Sequence, residues 1–429
     1  MMNKKTRFIL LCFLLCCIAV RGDTGKDFYL RGAFYQDWLG IKYEDSDLYS
    51  RLSSRLKLTL WNKPGEGWTG FVDARNRYNL SYGNKNRLII YDARLSYDKL
   101  KSKLFFSLGQ MNLYDTAGIG ELTGGIFGYK MNKFLSVGGY AGFEPDIYNA
   151  RLDAEHNKFG VFLRYIGAGA KQFSLSFNRI GFDGQTERQF LYSNVLFPYK
   201  RIFVLYCNVE YEMDNKTNNE DRLSHLFFNT RVNITKYADI TANYSSGRGL
   251  DYHQFLLEQS QNPTIQNNEI ERYYYNRTYG IRFSIKPVKN LRLFAARRES
   301  DIMDQGIINF TNRFGMSMYN ILNTGISFYG NYNINRGESS ESDSYYLSAS
   351  RNFGKLSFSL SFANYYNGVY ISTDGIPEVF HIPDRKTLST NFFYILNRSL
   401  ALSLEYAYSY EEDNLEHQFF IRAIYRRKK

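Results

Sequence analysis

Residues 356–362 read Leu-Ser-Phe-Ser-Leu-Ser-Phe, and residues 402–410 read Leu-Ser-Leu-Glu-Tyr-Ala-Tyr-Ser-Tyr. In both stretches, apolar or aromatic residues alternate with small or polar ones. Successive side chains of a β-strand point to opposite faces, so a period of two predicts strands with one apolar face and one polar face.

The same alternation recurs at residues 52–60 and 279–285. The alternating segments run to about ten residues or more, whereas strands of soluble proteins average about 5–6. A length of about ten residues suits a tilted strand that crosses a bilayer. No stretch of comparable length repeats apolar residues at helical spacing, so we predict an all-β fold.

The composition of the 429-residue chain narrows the class further. Aromatic residues make up 17% of it, and disordered chains are poor in aromatics, so disorder is excluded. The mean hydropathy is −0.42 and there is one long apolar run, whereas a bundle of membrane helices needs several runs of about 20 residues. What remains is a large all-β protein, either a soluble one or a membrane barrel.

The N-terminus has the pattern of a secretory signal peptide. Lys4, Lys5 and Arg7 precede an apolar run at residues 8–20 that is too short to span a bilayer comfortably. We therefore predict a signal peptide at residues 1–22 and a single barrel domain at residues 23–429. Cys16 and Cys17 leave a lipoprotein open as a minor alternative, because leucines precede them where a lipid-attachment site prefers small residues.

The predicted export limits the cysteine chemistry and the partners that we expect for the mature chain. Of the four cysteines, only Cys207 lies in the predicted mature chain, so we expect no internal disulfide and no cysteine metal cluster. The formal net charge of +12 could suggest nucleic acid as a partner. An exported chain without a long basic run argues against that partner.

The predicted connections in the C-terminal half alternate in length. Short ones fall at residues 236–239, 287–290, 321–323, 352–354 and 397–399, and long ones at residues 249–271, 299–306, 336–343 and 367–384. Outer-membrane barrels have short turns on the periplasmic side and longer loops outside, whereas a soluble sandwich has no reason to sort its loops in this way.

A sheet in lipid must close, because lipid offers no hydrogen-bond partner to an unpaired strand edge. We therefore predict a transmembrane antiparallel up-and-down β-barrel of about 22 strands, with short periplasmic turns and longer extracellular loops. The count could range from 18 to 24, and the region at residues 148–185 could change it by two. Tyr408, Tyr410 and Tyr425 stand at segment ends, where aromatic girdles meet the membrane surfaces.

Two stretches resemble bacterial outer-membrane porin-like barrels. Residues 91–98, the triplet Leu108-Gly109-Gln110 and the Gly-rich residues 116–125 are similar to the strand, turn, strand and inward loop of general porins. The alternation from Phe419 to Tyr425 resembles the C-terminal assembly strand of the family, although four basic residues follow it. The resemblance implies the outer membrane of a Gram-negative bacterium, a water-filled pore, contact with lipid and lipopolysaccharide, insertion by the barrel assembly machinery, and assembly of copies into a homo-oligomer.

The polar faces of the predicted strands carry the candidate pore-lining residues. They are Arg55, Lys57, Asp73, Arg75, Arg77, Asp92, Arg94, Arg282, Lys286, Arg292, Arg298, Glu405 and Arg422. Charged rings in a pore set ion preference, and this set is mostly cationic, so we hypothesise a weak preference for anions. An equally weighted alternative is that these residues pair as bridges that fill the wall of the lumen.

The Gly-rich residues 116–125, with Asp115 and Glu121, could fold inward as a constriction of the pore. A plain surface loop is the favoured alternative for this segment. The longest predicted loop, residues 249–271, is interpreted as a solvated external loop.

The sequence predicts transport rather than catalysis. Its five histidines are scattered and no nucleophile motif, phosphate-binding loop or zinc spacing is present, so no enzyme, cofactor or metal is expected. The favoured function is a passive diffusion channel for small hydrophilic solutes or ions, because polar faces such as Ser357, Ser359 and Ser361 leave room for water. The alternative is a structural or secretion-associated barrel with a blocked lumen that serves a partner.

Overall fold

The computed structural model describes residues 28–44, 46–62, 67–81, 86–113, 118–145, 154–182, 184–213, 223–248, 275–302, 307–337, 340–373, 376–412 and 414–428. The predicted signal peptide and the predicted loop at residues 249–271 lie outside the described residues. Within the described part, strands account for nearly the whole chain. None of its helices is long and apolar enough to cross a membrane.

The strands follow one another in order along the chain. They are β1 (Phe28–Tyr43), β2 (Tyr49–Asn62), β3 (Trp68–Asn79), β4 (Asn86–Asp98), β5 (Leu104–Leu113), β6 (Gly120–Lys130), β7 (Leu135–Phe143), β8 (His156–Ile166), β9 (Gln172–Phe182), β10 (Gln185–Tyr199), β11 (Phe203–Glu212), β12 (Leu223–Asn233), β13 (Ala238–Arg248), β14 (Tyr275–Val288), β15 (Leu291–Ile302), β16 (Ile307–Met318), β17 (Ile326–Gly337), β18 (Ser340–Phe353), β19 (Leu356–Thr373), β20 (Ile376–Ile395), β21 (Leu400–Glu411) and β22 (Asn414–Lys428). Single 3₁₀ turns at Ala168–Ala170 and Ile321–Asn323 are the helical elements of the described residues.

Each strand pairs antiparallel with the next, and the first strand pairs with the last. In that closing ladder, Phe34 lies opposite Tyr425 and Asp37 lies opposite Arg422. The 22-stranded sheet therefore closes on itself and leaves no free edge. The predicted antiparallel barrel and its count of about 22 strands are confirmed, and the ambiguous region at residues 148–185 contributes β8 and β9.

Two of the predicted long loops are instead continuations of strands. β17 and β18 extend to Gly337 and from Ser340, so the predicted loop at residues 336–343 is mostly a paired hairpin. β19 and β20 run on to pair Thr373 with Ile376, within the predicted loop at residues 367–384. Polar and proline-containing sequence hid this pairing, since a hairpin that rises above a membrane needs no apolar face.

Contacts between strands that are not neighbours identify the inner face. The Tyr140 hydroxyl of β7 donates to Asn178 Oδ1 of β9, 2.5 Å away, and the rings of Phe105 on β5 and Phe162 on β8 lie 6.5 Å apart. Side chains converge in this way only on the concave side of a curved sheet. Because directly paired residues share a face, the strand register carries this assignment around the barrel.

The outer face exposes a continuous apolar surface. Val161, Phe127 and Ile281 are 60%, 56% and 55% exposed, and similar side chains occur on nearly every strand. A soluble monomer does not carry an apolar patch of this extent. The alternation seen in the sequence therefore places the apolar residues outward and the polar residues inward, as a membrane barrel requires.

Aromatic residues on the outer face lie toward both ends of the strands. Near the short-turn end are Trp68, Tyr97, Phe106, Tyr129, Tyr165, Phe173, Tyr199, Phe353, Tyr394 and Tyr425, and near the other end are Phe143, Phe159, Tyr211, Tyr279, Tyr345, Tyr410 and Phe419. Some of these rings contact one another, as in the cluster of Trp68, Tyr97 and Phe106. Two such rows are the girdles that mark the surfaces of a bilayer.

Candidate pore lining

The strand register places every predicted pore-lining residue on the inner face. These residues are Arg55, Lys57, Asp73, Arg75, Arg77, Asp92, Arg94, Arg282, Lys286, Arg292, Arg298, Glu405 and Arg422. Their function in transport stays a prediction. The structure shows in addition which of them pair and which face the lumen without a carboxylate partner.

Asp73 is the centre of one ion-pair cluster on the inner face. Arg55 donates from Nε and Nη2 to the two carboxylate oxygens of Asp73 at 2.7 and 2.8 Å, and Lys57 Nζ lies 3.2 Å away. Asp73 is buried while both cations remain partly exposed. A single carboxylate therefore holds two cations against the wall, and the cluster keeps a net positive charge.

Asp37 is the centre of a second cluster, and sequence reasoning missed it. Arg422 donates to both of its carboxylate oxygens at 2.8 and 3.1 Å, and Arg75 Nη2 approaches to 3.6 Å. Arg75 also donates to the Ser53 hydroxyl at 2.6 Å. Asp37 lies in a mostly apolar strand and directly precedes Trp38. Its alternation with Trp38, which lies on the outer face, is the one sequence signal that would have placed Asp37 in the lumen.

A register shift in β4 brings further charges to the inner face. The pairing of β3 with β4 slips between Asp73 and Ala74, so that Tyr91 is the extra residue of a bulge. Asp92 lies opposite Asp73, and Arg94 Nε is 3.5 Å from Asp92. The Arg55 guanidinium lies over the Tyr91 ring, 5.0 Å from its centroid.

Two further arginines complete this region of the wall. Arg77 and Arg87 are directly paired between β3 and β4, and no carboxylate of the described residues lies within ion-pair distance of either. We call the inner face of β22 and β1–β4 the first cationic arc. Its cations outnumber its carboxylates, which include Asp37, Asp73 and Asp92, so pairing neutralises the arc only in part.

A second cationic arc lies on the inner face of β12–β16. Asp239 accepts from Arg231 at 3.1 Å and from Arg292 at 3.1 Å, and Arg292 reaches it across the intervening strand β14. The Arg282 guanidinium lies 3.9 Å from the centroid of the Phe294 ring. Sequence reasoning missed Arg231 and Asp239, although each alternates with apolar neighbours in the expected way.

Arg298 and Arg313 add to the second arc, and neither is within ion-pair distance of a described carboxylate. Arg313 instead donates to Asn333 Oδ1 at 2.5 Å. Both kinds of charge that the sequence analysis considered, paired and unpaired, therefore occur on the inner face of the described residues. Asp37, Asp73, Asp92 and Asp239 pair with arginines or lysine, while Arg77, Arg87 and Arg298 have no carboxylate partner among the described residues.

The inner face of β5–β9 is a tightly curved, packed corner. Gly124 and Gly142 are directly paired, and a Cβ atom on Gly124 would lie 2.2 Å from the carbonyl oxygen of Ala141. Inward Cβ atoms converge where a sheet curves sharply, so only glycine fits there. The space is filled by a cluster of buried side chains, namely Phe105, Met111, Leu113, Ile119, Leu122, Ile126, Tyr140 and Phe162.

The segment predicted as a Gly-rich loop differs from that prediction in two respects. Residues from Gly120 onward form strand β6, where Glu121 pairs with Asn112. Gly118 lies against the Tyr192 ring of β10, since a Cβ atom there would be 2.4 Å from Tyr192 Cγ. The end of the loop thus turns into the barrel rather than onto its surface. Asp115 lies outside the described residues, and a constriction formed with Glu121 stays a prediction.

No group of three histidine, cysteine or carboxylate side chains in the described ranges could hold a metal ion. His417 Nδ1 lies 2.9 Å from the Tyr406 hydroxyl on the outer face, in the aromatic row near the loop end. This histidine therefore belongs to the membrane-facing surface.

Comparison with known proteins adds little beyond the fold. No protein-family model matches the chain, and no curated protein matches it. Among solved structures, Acinetobacter baumannii OccAB4 aligns with a TM-score of 0.45 and 10% identity over 95% of this chain and 100% of its own. A. baumannii OccAB2 aligns with a TM-score of 0.46 and 10% identity over 94% and 98%, and the P pilus usher PapC translocation pore with 0.47 and 11% over 94% and 100%.

Similarity at these values carries no conclusion about activity, and the architecture is established by the strand pairing of this chain itself. Its sheet is closed, its outer wall is apolar, and two aromatic rows bound that wall. A β-sheet can span a membrane when it closes, because every backbone hydrogen bond is then satisfied inside the sheet. In such a barrel, lipid-facing and lumen-facing residues alternate along each strand. The strand pairing and the apolar outer wall therefore give the chain the architecture of a closed transmembrane β-barrel.

Proposed function

We propose that the protein is an outer-membrane channel for the passive diffusion of small hydrophilic solutes or ions, with a weak preference for anions. The observation that carries this proposal is the excess of cationic side chains on the inner face. In the first cationic arc, Asp37 and Asp73 each hold two cations, and Arg77 and Arg87 have no carboxylate partner among the described residues.

The physical basis is the local potential. Positive side chains along a water-filled passage raise the local concentration of anions and lower that of cations. Partial pairing with carboxylates reduces this potential, which is why the preference is weak. Four cations around two buried aspartates also stay fixed at the wall, so that the potential does not depend on side-chain motion.

Several associations accompany this function as part of the proposal. The apolar outer face is solvated by lipid, and lipopolysaccharide contacts the loop end of the barrel. Insertion requires the barrel assembly machinery, for which the alternation from Phe419 to Tyr425 in β22 provides the recognition strand. Association into a homo-oligomer stays a prediction.

The experiment begins with the refolded barrel in liposomes. Swelling in arabinose, glucose, maltose and raffinose should slow progressively with solute size, as expected for an open lumen. Absence of swelling in all four sugars would support a blocked barrel that serves a partner. In planar bilayers under a tenfold KCl gradient, the sign of the reversal potential should indicate chloride preference, and potassium preference would overturn the anion proposal.

A further inference from the structure

Between the two cationic arcs, the inner face of β17–β19 carries no charged side chain among the described residues, and on β20 Arg385 lies toward the loop end, where it pairs with Glu416 of β22. On β17–β20 this face carries amide, hydroxyl and tyrosine side chains: Ser327, Tyr329, Asn331, Asn333, Asn335, Ser342, Ser344, Tyr346, Ser348, Ser350, Ser357, Ser359, Ser361, Thr387, Ser389 and Asn391. We call this surface the hydroxyl–amide arc. The charged residues of β17 and β18, such as Arg336 and Asp343, pair with each other on the outer face.

A ladder of side chains orders the arc along β17. Asn331 donates to the Tyr329 hydroxyl at 3.1 Å, and Asn333 donates to Asn331 Oδ1 at 3.1 Å and to the Ser344 hydroxyl at 3.1 Å. Higher on the same strand, Asn335 donates to the Ser342 hydroxyl at 2.7 Å. These bonds hold the amides in defined positions, and a preorganised polar group binds a ligand without a further cost of ordering.

The ladder uses only part of its hydrogen-bonding capacity. The Tyr329 oxygen accepts from Asn331, so its own proton remains free to donate toward the lumen. Further along the arc, the hydroxyl groups of Ser361 and Ser389 lie 2.6 Å apart, and each retains lone pairs. The surface therefore offers donors and acceptors in close alternation without a net charge.

Two tyrosine rings supply an apolar element within this surface. The rings of Tyr329 on β17 and Tyr346 on β18 lie 6.0 Å apart at an angle of 53°. Sugars and alditols present the same two features, since their hydroxyl groups both donate and accept and their C–H faces pack against aromatic rings. A simple inorganic ion would use neither feature.

We propose that the hydroxyl–amide arc is a binding track for polyhydroxylated solutes of the saccharide and alditol class. The track deepens the proposed channel function and rests on it, because a solute reaches the arc through the lumen. Hydrogen bonds to the wall replace those to water at each step, so the solute passes without losing its hydrogen-bond partners. The arc is neutral, and its selectivity is therefore independent of the anion preference.

The test uses single-channel recording of the refolded barrel with maltose, and with triethylene glycol as a flexible solute that has few hydroxyl groups. Maltose should reduce the current in a saturable manner, and triethylene glycol should not. The double variant Asn331→Leu/Asn333→Leu should raise the half-blocking concentration of maltose about tenfold, as expected for the loss of two hydrogen bonds. The matched control Asn312→Leu, on the outer face of β16, should leave it unchanged.

A second variant guards against misfolding of the first. Ser361→Ala/Ser389→Ala removes two hydroxyl groups at little structural cost and should raise the half-blocking concentration about threefold. Equal block by the two solutes would overturn the track, and so would unchanged maltose block in both variants that remain folded.

A binding measurement separates failure of the track from failure of the channel. Saturation transfer from the barrel to maltose protons is recorded in an amine-oxide detergent, which has no sugar headgroup. Transfer that the Asn331→Leu/Asn333→Leu variant abolishes supports the track even if bilayers show no current, which would overturn only the channel. A conducting channel without transfer to maltose overturns the track and leaves the channel proposal intact.

Discussion

Arg422 of β22 donates two hydrogen bonds to the carboxylate of Asp37 in β1, at 2.8 and 3.1 Å, although the two residues are 385 positions apart in the chain. They are directly paired in the ladder that closes the barrel. Asp37 is 4% exposed, and among the described residues its charge is compensated by Arg422 and by Arg75, whose Nη2 lies 3.6 Å away. One ion pair thus joins the first strand to the last and also neutralises charge on the inner face.

We expect Asp37→Asn to destabilise the folded barrel by roughly 1–2 kcal/mol, because it removes a buried carboxylate and leaves the partly exposed Arg422 without its charged partner, whose attraction solvent screens in part. The measurement is the free energy of unfolding in urea with the barrel in lipid vesicles. Arg298→Gln is the matched control, since Arg298 also lies on the inner face but has no carboxylate within ion-pair distance among the described residues. An equal loss in both variants would contradict a special role for the closing pair.

Removal of Arg77 and Arg87, two arginines of the first arc without a carboxylate partner among the described residues, should weaken anion preference. Each charge acts with about 0.4 kcal/mol on an ion roughly 10 Å away in unscreened water, and salt lowers this energy to about 0.15 kcal/mol. Because the two charges act with opposite sign on chloride and potassium, Arg77→Gln/Arg87→Gln should lower the chloride-to-potassium permeability ratio about two- to fourfold. Reversal potentials in planar bilayers give this ratio. Arg297→Gln removes an outward-facing arginine that lies over the Phe310 ring, and this control should not change the ratio.

Neighbouring residues on β19 should respond oppositely to the same substitution. Leu360 is 41% exposed on the outer face, and Leu360→Arg should cost about 2–4 kcal/mol because it places a charge in the hydrocarbon layer. Ser361 faces the lumen, and Ser361→Arg should cost far less. Refolding into vesicles over a urea gradient measures both. Similar losses for the two variants would show that the assignment of faces is wrong.

The packed corner should not tolerate a methyl group. Gly142→Ala would place Cβ 2.3 Å from the carbonyl oxygen of Thr123, so the strands must separate locally, at a cost of about 1–3 kcal/mol. At Gly70 the nearest atom, on Leu60, is 3.9 Å from the same position, and Gly70→Ala should be nearly neutral. Thermal unfolding in detergent distinguishes the two, and equal midpoints would argue against tight curvature at β6 and β7.

Much of the architecture was predictable because its cause is local. Alternation at residues 356–362 and 402–410 assigns each side chain to a face, and the aromatic ends of these segments predict the girdles. The errors also have a local cause. The predicted loops at residues 336–343 and 367–384 lack an apolar face, so nothing in their composition distinguished a paired hairpin from irregular chain.

For the candidate pore lining, too, the sequence predicted local features and not those that depend on neighbouring strands. The inward position of Arg55, Arg94 and Arg422 followed from parity along a strand, without knowledge of the neighbouring strands. The partners of these residues did not, because an ion pair between β22 and β1 depends on which residues the closing register sets opposite each other. The bulge at Tyr91 likewise has no signature in the alternation, yet it determines which charges of β4 meet those of β3.

By itself, the sequence determined that the strands have an apolar face and a polar face, that they number about 22, and that their sheet must close in lipid, because these properties depend on period and solvent alone. Only the tertiary structure decided which charges are neutralised, where the wall is packed by buried side chains, and how the amides of β17 align. Those properties depend on stagger and curvature between strands, which no single strand encodes.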